Sequence, residues 1–357
     1  GTAVGATISG ITGTGATRTG SITTGSTDGT LLLNLTTAAG ITDGAGNVLA
    51  GPRSCDQSYT IDKTFPELNA VTVGSNNLLH PSYVGIGGVV TLTITGSENL
   101  VIVNGDIQIE GQNATISGSN KNWTATYTMQ VSDAVSPVTY KIDFKDLADN
   151  AVTGVVTPSS IIFDKVAPTL TSVSISSSNT PINTAKVGDV ITILFTADDD
   201  IENVAAKINT TKSAVVTDLG GRNWKAEYTM SNADVEGLLT FAITFKDYAG
   251  NDCSPKPVVL TSDGTSVTFD KTAPAPPSKP NMADASDTGT SNSDDITSIF
   301  TPTFSGTSEN NAIINIYSNI DGSIGTVNAD GTGVWSTAAS ALASGNHLIT
   351  ATATDAT

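Results

Sequence analysis

Carboxylate side chains recur in three strings of this sequence, and their spacing suits them to holding a cation. An Asp-x-Ala-x-Asn string occupies residues 43–47, 146–150 and 247–251, and a further copy begins at Asp355. An Asp-Lys-x-x-Pro string starts at Asp62, Asp164 and Asp270. Acids also stand at Glu98, at Asp198–Asp200 with Glu202, and at Glu309. Carboxylates held close together need a cation or protons to offset their charge.

Calcium suits these groups best, because it accepts about six to eight oxygen ligands from carboxylates, Asn side chains and backbone carbonyls. The strings group into three candidate calcium sites. Their ligands are, in the first site, Asp62, Glu98, Asp146, Asp149 and Asn150; in the second, Asp164, Asp198, Asp199, Asp200, Glu202, Asp247 and Asn251; in the third, Asp270, Asp284, Asp287, Glu309 and Asp355. None of the three has the spacing of an EF-hand loop. The second is the richest in acids, and we expect calcium to act chiefly there.

The same residues also suit local structure without a metal. Asp-x-Ala-Gly-Asn is a favourable hairpin turn, because Asp and Asn bond to the nearby backbone and Gly accepts a positive φ. The Asp-Lys pair is also a plausible strand end, with Lys63, Lys165 or Lys271 offsetting the charge. The sequence leaves both interpretations open, the turn and the metal site.

The composition argues against catalysis and against nucleic-acid binding. The chain has 34 acidic and 16 basic residues, and its net charge of −18 repels phosphate backbones. Its two His (His80, His347) and two Cys (Cys55, Cys253) are too few for a His-based triad, a zinc site or a disulfide framework. No apolar run approaches the ~18–20 residues of a membrane helix. We therefore predict a non-enzyme with free thiols and no membrane span in this segment.

The strings keep their order along the chain at a constant period, which predicts tandem repeats. The Asp-Lys pairs are 102 and 106 residues apart, and the similar segments around Trp123 and Trp224 are 101 apart. We predict the C-terminal part of a repeat at 1–64, whole repeats at 65–165 and 166–271, and a repeat lacking its C-terminal end at 272–357. Both ends fall inside a repeat, which indicates an excerpt of a longer array.

Each repeat contains short β-branched or aromatic segments between Gly, Asn, Asp and Pro, which predicts strands. In Leu239–Phe245 the bulky residues alternate with small ones, so they share one buried face. About seven such strands in about 100 residues predict an all-β fold: tandem immunoglobulin-like β-sandwich domains in an elongated array. In that topology the loop after the second strand, the last hairpin loop and the arriving linker share one pole. The acids of each candidate site should therefore meet at a junction between repeats.

The Asp-Lys-Thr-Ala-Pro linker, the Asp-x-Ala-Gly-Asn loop and the segment TPTFSGTSENNAIINIYSNIDGSIGTVNADGTGVWS from Thr301 carry a resemblance. They resemble the tandem bacterial immunoglobulin-like repeats of large surface adhesins and related exported proteins. The resemblance covers nearly the whole chain. It implies an extracellular protein of the bacterial cell surface, and repeats of this kind are often calcium-bound at their junctions.

The leading functional hypothesis is a structural stalk or spacer segment of a bacterial cell-surface adhesin or surface filament, with junctions rigidified by calcium. Its partners are then neighbouring repeats of the same longer chain, a surface glycan or protein bound elsewhere, and further chains through lateral self-association. The alternatives are a carbohydrate- or protein-binding module, which an exposed aromatic patch on one repeat would favour, and a non-catalytic spacer of an extracellular enzyme. Trp123 and Trp224 are predicted to be core residues rather than sugar-stacking platforms.

Overall fold

The computed structural model describes residues 5–355, apart from the side chains of residues 55 and 56. These residues form strands, turns and loops, and no helix occurs among them. The described chain accordingly holds no helix that is long and apolar enough to cross a membrane. Frequent Val, Ile and Thr favour strands, while Gly, Asn, Asp and Pro favour the turns between them. The predicted all-β class is confirmed.

Internal contacts divide the described chain into two compact units. The first comprises the residues up to 167 together with 246–252, and the second comprises 168–245 and the residues from 253 onward. Clusters of buried apolar side chains lie within residues 84–163 of the first unit, and within 173–269 and 304–339 of the second. Each cluster falls inside one of the predicted repeats.

The N-terminal segment forms two separate antiparallel hairpins. β1 (Thr7–Thr12) pairs with β2 (Thr19–Thr23), and β3 (Gly29–Leu35) pairs with β4 (Arg53–Ile61). Between residues 5 and 62 none of the described side chains is buried. Cys55, a predicted free thiol, is one of the two side chains outside the described set. The described side chains of this segment therefore form no core, and the segment leads through Asp62 into the next repeat.

The repeat of residues 65–165 is a sandwich with sheets ordered β11-β12-β7-β5 and β10-β9-β13-β16-β6, and a smaller sheet β15-β14-β8. Its strands are β5 (Leu68–Ser75), β6 (Tyr83–Val84), β7 (Val89–Gly96), β8 (Leu100–Val101), β9 (Ile107–Ile109), β10 (Gln112–Asn113), β11 (Thr115–Ser119), β12 (Asn122–Thr128), β13 (Ser136–Ile142), β14 (Phe144–Asp146), β15 (Ala151–Val152) and β16 (Thr157–Phe163). In β7 every second residue, Val90, Leu92 and Ile94, is fully buried, as a period of two requires.

The repeat of residues 166–271 has the corresponding sheets β17-β19-β23-β22, β21-β20-β25 and β18-β26-β24. Its strands are β17 (Leu170–Ser177), β18 (Thr184–Ala185), β19 (Val190–Ala197), β20 (Ile201–Ile208), β21 (Lys212–Ser213), β22 (Val215–Gly220), β23 (Asn223–Thr229), β24 (Gly237–Leu238), β25 (Phe241–Asp247) and β26 (Thr268–Phe269). Leu239, Phe241, Ile243 and Phe245 are all buried, which confirms the predicted face. The last strand is shorter than the predicted Thr265–Asp270.

The repeat of residues 272–357 has two described sheets, β27-β28-β31 and β30-β29-β32. Its strands are β27 (Asn281–Met282), β28 (Thr303–Thr307), β29 (Ile313–Ser318), β30 (Gly322–Asn328), β31 (Val334–Ala338) and β32 (Ile349–Thr354). Trp335 is 1% exposed and lies in the core of this repeat. Trp123 and Trp224 are half-buried and pack against the cores of their own repeats, which agrees with the predicted core role.

Candidate metal centre

Three carboxylates of the first predicted site lie together in the first compact unit. One oxygen from each of Asp62, Glu98 and Asp146 lies within 4.8 Å of the other two. Asp62 directly follows β4, Glu98 lies in the turn between β7 and β8, and Asp146 ends β14. Linker, loop and hairpin acids thus meet at one pole, as the sandwich topology predicts.

Burial and mutual repulsion shape the charge of this group. The pKa of Glu98 is raised above its ordinary value, first by burial and then by the negative charges of Asp62 and Asp146. Burial also acts to raise the pKa of Asp146, but hydrogen bonds from Asn150 and Ala148 hold it below its ordinary value. The charge of Lys121 partly opposes this rise at Glu98, although its ammonium donates to the carbonyl of Ser97 at 2.6 Å. Within the described residues none of the three carboxylates forms an ion pair, so the group suits a bound cation.

The other two predicted ligands of the first site have different surroundings. Asp149 pairs with Lys145 at 2.6 Å, and its side chain is 80% exposed. Asn150 uses its Nδ2 group to donate to Asp146 Oδ2 at 2.7 Å and to the backbone carbonyls of Asp62 and Thr64 at 3.2 and 3.3 Å. Asn150 therefore ties the loop to the arriving linker, and Asp149 lies outside the three-carboxylate group.

The Asp-x-Ala-x-Asn strings form the predicted turn at all three of their complete copies. Asp43, Asp146 and Asp247 each accept the backbone N–H of the Asn four residues later, at 2.9 Å in every case. The same Asn also donates its side-chain amide to the Asp, at 2.7–2.9 Å. The string is therefore a turn everywhere, and closely grouped carboxylates are an additional feature of the copy at Asp146.

Some acids of the second predicted site belong to the first compact unit and the others belong to the second. In the first compact unit, the pKa of Asp247 is raised by burial and then by the charge of Asp164, against the hydrogen bonds from Asn251. Asn251 Nδ2 donates to the Asp164 carbonyl at 3.2 Å, which repeats the contact of Asn150.

In the second compact unit, the acids after β19 have local partners. Asp198 accepts Thr169 N at 2.8 Å and Thr169 Oγ1 at 2.6 Å. Arg222 lies 3.0 Å from Asp200 and 3.4 Å from Asp199. Glu202 is half-buried at the start of β20. The sequence gives most weight to this dense acidic loop, but Arg222 already offsets part of its charge, and the geometry favours the first site.

At the third predicted site, burial and then the charges of Asp270 and Glu309 raise the pKa of Asp355. Asp284 and Asp287 lie in the preceding loop, where Asp287 is 7% exposed and accepts Asp295 N at 3.1 Å. Among the described residues, the tight group of three carboxylates occurs at the first site only.

Two carboxylates that sequence reasoning missed hold the linkers. Asp28 accepts Lys63 N at 2.6 Å and the Thr64 hydroxyl, and Glu236 accepts Lys271 N at 2.8 Å and the Thr272 hydroxyl at 2.6 Å. The sequence signal is the Thr after Asp-Lys, which is replaced by Val in the linker at Asp164. The lysine next to each linker Asp is predicted to offset the negative charge of that Asp. Instead, the ammonium groups of Lys165 and Lys271 donate to backbone carbonyls at 2.7–3.1 Å.

A second set of contacts that the sequence did not predict involves Tyr248, which occupies a variable position of the 247–251 string. Its ring stacks on His80, with centroids 3.8 Å apart and planes 9° apart, and Tyr83 meets it edge-on at 6.0 Å. Asn77 Nδ2 donates to the Tyr248 carbonyl at 2.8 Å. These contacts anchor residues 246–252 within the first compact unit. Nothing in the sequence pattern pointed to them, because Tyr occupies this position in one copy only.

His347 has Ser and Asp neighbours but not the geometry of a hydrolase. Its Nδ1 lies 2.8 Å from Ser318 Oγ and 3.4 Å from Asp321 Oδ2, and its Nε2 lies 2.8 Å from the Ala343 carbonyl. A nucleophilic triad places Ser at one ring nitrogen and the acid at the other. Here Ser318 and Asp321 both approach Nδ1, and Ser318 is only 5% exposed. The arrangement therefore stabilises a loop.

A family model described as a bacterial Ig-like domain matches residues 273–357. The comparison with curated proteins found no match. A solved structure of a 1.5-MDa bacterial ice-binding adhesin is 18% identical, with 80% of this chain and 97% of that chain covered and a TM-score of 0.37.

Two further solved structures are similar at lower identity. The ICAM-5 D1–D4 ectodomain fragment is 14% identical over 84% of this chain and 79% of that one, with a TM-score of 0.29. Rst D1–D2 is 9% identical over 58% and 100%, with a TM-score of 0.24. At such TM-scores these likenesses carry no weight for function. The family match does confirm the predicted resemblance over the last repeat, since residues 273–357 match the model of a bacterial Ig-like domain.

Proposed function

We propose that the chain is a structural stalk or spacer segment of an exported bacterial adhesin or surface filament. The family match of residues 273–357 supports a bacterial immunoglobulin-like repeat. The recurrence of the same strings at a period of about 100 residues supports a role in spacing, since each repeat adds one similar unit. In this role the chain is not an enzyme, and a glycan or protein ligand binds elsewhere.

We further propose that calcium binds at the first junction through Asp62, Glu98 and Asp146. The observation that carries this proposal is that oxygens of all three lie within 4.8 Å of one another. Asp62 comes from the arriving linker, whereas Glu98 and Asp146 belong to the repeat. A cation bound to all three removes their repulsion and connects the linker to the sandwich. Backbone carbonyls and water would complete the oxygen shell.

The size of the effect follows from linkage. A ligand that binds only the folded state at a tenfold excess over its Kd stabilises that state by about 1.4 kcal/mol. For a domain of about 100 residues this corresponds to a rise in melting temperature of roughly 7 °C. Extracellular modules bind calcium with Kd values of about 0.1–1 mM, so millimolar calcium occupies even a weak site.

The test is calcium titration by calorimetry, with thermal melting in calcium and in EDTA, on the whole chain. We expect binding and a raised melting temperature, and we expect Glu98→Gln to lose most of both. Asp149→Asn is the matched control, because Asp149 belongs to the same loop region but pairs with Lys145. Equal calcium responses in the two variants would place the binding outside this group.

The spacing role has a separate test. Small-angle scattering of the chain should give a larger or better-defined maximum dimension in calcium than in EDTA. The Glu98→Gln variant should show no such difference. If the wild-type dimension does not respond to calcium although calorimetry detects binding, then the ion does not stiffen the chain.

A further inference from the structure

The repeat of residues 272–357 contains a buried carboxylate that has one unpaired oxygen. Asp287 is 7% exposed, and among the described residues its Oδ1 atom has no hydrogen-bond partner, although it is buried. Its Oδ2 atom accepts the backbone N–H of Asp295 at 3.1 Å. The sequence has no Lys or Arg between residues 280 and 357, so this stretch offers Asp287 neither an ammonium nor a guanidinium group. A buried carboxylate is costly unless it is paired or neutralised.

The backbone that carries Asp287 is fixed to the sandwich. Ser286, which is 6% exposed, accepts the N–H of Thr303 on β28 through its Oγ atom at 2.9 Å. Ala283 donates its N–H to the Thr303 carbonyl, also at 2.9 Å. The N–H of Asp287 in turn donates to the Ala283 carbonyl at 3.2 Å. The buried carboxylate therefore stands on a turn that a core strand holds in place.

Two further aspartates lie on a stretch of the same loop that is held against this turn. The bond from Asp295 N places the peptide between Asp294 and Asp295 beside the Asp287 carboxylate. Gly289 N donates to the Ile296 carbonyl at 3.0 Å, and a Cβ on Gly289 would lie 3.2 Å from Asp294 Oδ1. The side chains of Asp294 and Asp295 are exposed, so they can turn towards Asp287 without leaving a packed position.

A dehydrated cation suits the unpaired oxygen better than a water molecule does. Water bonds to an oxygen at about 2.7–2.8 Å, whereas calcium contacts its oxygen ligands at about 2.3–2.6 Å. Calcium also accepts carboxylates together with backbone carbonyls in a flexible geometry. Magnesium usually keeps several of its waters, and the buried Oδ1 of Asp287 leaves them little room.

We propose that residues 284–295 form a calcium site of the last repeat, with the buried Asp287 as its anchor. Asp294 and Asp295 supply further carboxylate oxygens, and backbone carbonyls of the loop complete the shell. Among the described residues the tight group of three carboxylates occurs at the first junction only. Binding here therefore draws the two exposed aspartates onto Asp287 and orders the loop. The proposal does not rest on the first junction, and it accounts for calcium binding that remains in Glu98→Gln.

The experiment uses the whole 357-residue chain, with native mass spectrometry to count calcium ions and hydrogen exchange to locate them. At a calcium concentration about tenfold above the Kd, exchange in residues 287–298 should slow by about tenfold relative to EDTA. Asp287→Asn should bind one calcium ion fewer than the wild type and lose the slower exchange. Asp295→Asn keeps the backbone N–H that bonds to Asp287, and it should weaken loop protection even if Asp287→Asn fails to fold.

Asp330→Asn is the matched control, because Asp330 is an exposed acid of the same repeat that accepts Thr332 in a separate turn. It should keep both the ion count and the loop protection. Glu98→Gln should also keep the loop protection, and its loss there would assign the effect to the first junction and overturn the proposal. Equal ion counts and equal protection in the wild type and Asp287→Asn would overturn it as well, since the buried carboxylate is then neutralised without a metal. Equal protection by Mg²⁺ would overturn the assignment to calcium.

Discussion

At the scale of single residues, Glu98 is a carboxylate whose pKa depends on the other acids of the junction. Its pKa is raised by burial and by the charges of Asp62 and Asp146, whereas the pKa of Asp146 is lowered by its hydrogen bonds. The two acids thus have opposite linkage to folding. Glu98 takes up a proton on folding in the pH window just above its ordinary pKa, and Asp146 releases one near its own.

This difference predicts a two-phase acid response. In EDTA, the stability of the protein should rise as the pH falls from 7 towards about 4.5, because the folded state binds the Glu98 proton more tightly than the unfolded state. Below about pH 4 stability should fall, since Asp146 must be ionised to accept its hydrogen bonds. Saturating calcium should reduce the first phase by the share that Glu98 contributes, and Glu98→Gln should do the same in EDTA. Melting curves from pH 7 to 3 measure this. The part of the phase that persists belongs to Asp247 and Asp355, whose pKa values burial also raises, and a phase that neither change reduces would contradict the role of Glu98.

A second prediction concerns Gly306 on β28. A Cβ placed there would lie 2.4 Å from Trp335 Cζ2 and 2.7 Å from Ser278 Oγ. Trp335 is fully buried, so it cannot swing aside into solvent. Gly306→Ala should therefore destabilise the last repeat by about 1–3 kcal/mol, as overpacking does. Gly331→Ala, where a Cβ meets nothing within 4 Å, is the control in urea melts. Equal midpoints would mean that Trp335 can move at little cost.

At the scale of elements, the Asp-x-Ala-x-Asn turn is the same structure in two surroundings. Asp146 is 1% exposed and accepts three hydrogen bonds, from Ala148 N and from both nitrogens of Asn150, at 2.7–2.9 Å. Asp43 accepts the matching three bonds, all at 2.9 Å, on an exposed loop. A comparison of substitutions at Asp146 and Asp43 therefore separates the stability that the turn contributes from the stability that burial contributes.

Asp146→Ala should cost about 2–3 kcal/mol in EDTA, because three donors, two of them on the half-buried Asn150, lose a buried acceptor. Asp43→Ala should cost clearly less, since water can satisfy the same donors there. Denaturant unfolding of both variants measures the difference. A loss for Asp43→Ala as large as that for Asp146→Ala would show that burial does not set the cost.

Strand positions and their buried faces were predictable because alternation along one segment encodes them. Leu239, Phe241, Ile243 and Phe245 all point inward as predicted. The meeting of Asp62, Glu98 and Asp146 was predictable because topology alone brings linker, loop and hairpin to one pole. The pairing of Arg222 with Asp199 and Asp200 was not, because it depends on side-chain geometry across a turn. Among the described residues, the loop with the most acids is therefore not the one that holds the tight group of three carboxylates.

At the scale of the whole molecule, the net charge of −18 opposes compaction of the metal-free chain. Raising NaCl in EDTA from about 0.02 to about 0.3 M should increase the melting temperature by a few degrees, since the Debye length falls below about 10 Å. Calcium at constant ionic strength should add a larger increase that depends on Glu98. Identical responses to NaCl and to calcium would mean that the ion acts by screening only.

Asn150 and Asn251 reach backward along the chain to backbone carbonyls, of Asp62 and Thr64 in one case and of Asp164 in the other. A carbonyl is present at every position, whatever residue occupies it. A repeat that is duplicated, or exchanged by recombination, therefore brings its own Asn and finds an acceptor in whichever neighbour precedes it. Gene-level shuffling of such units preserves this contact without any compensating substitution, so the number and order of repeats are free to change while each link is rebuilt.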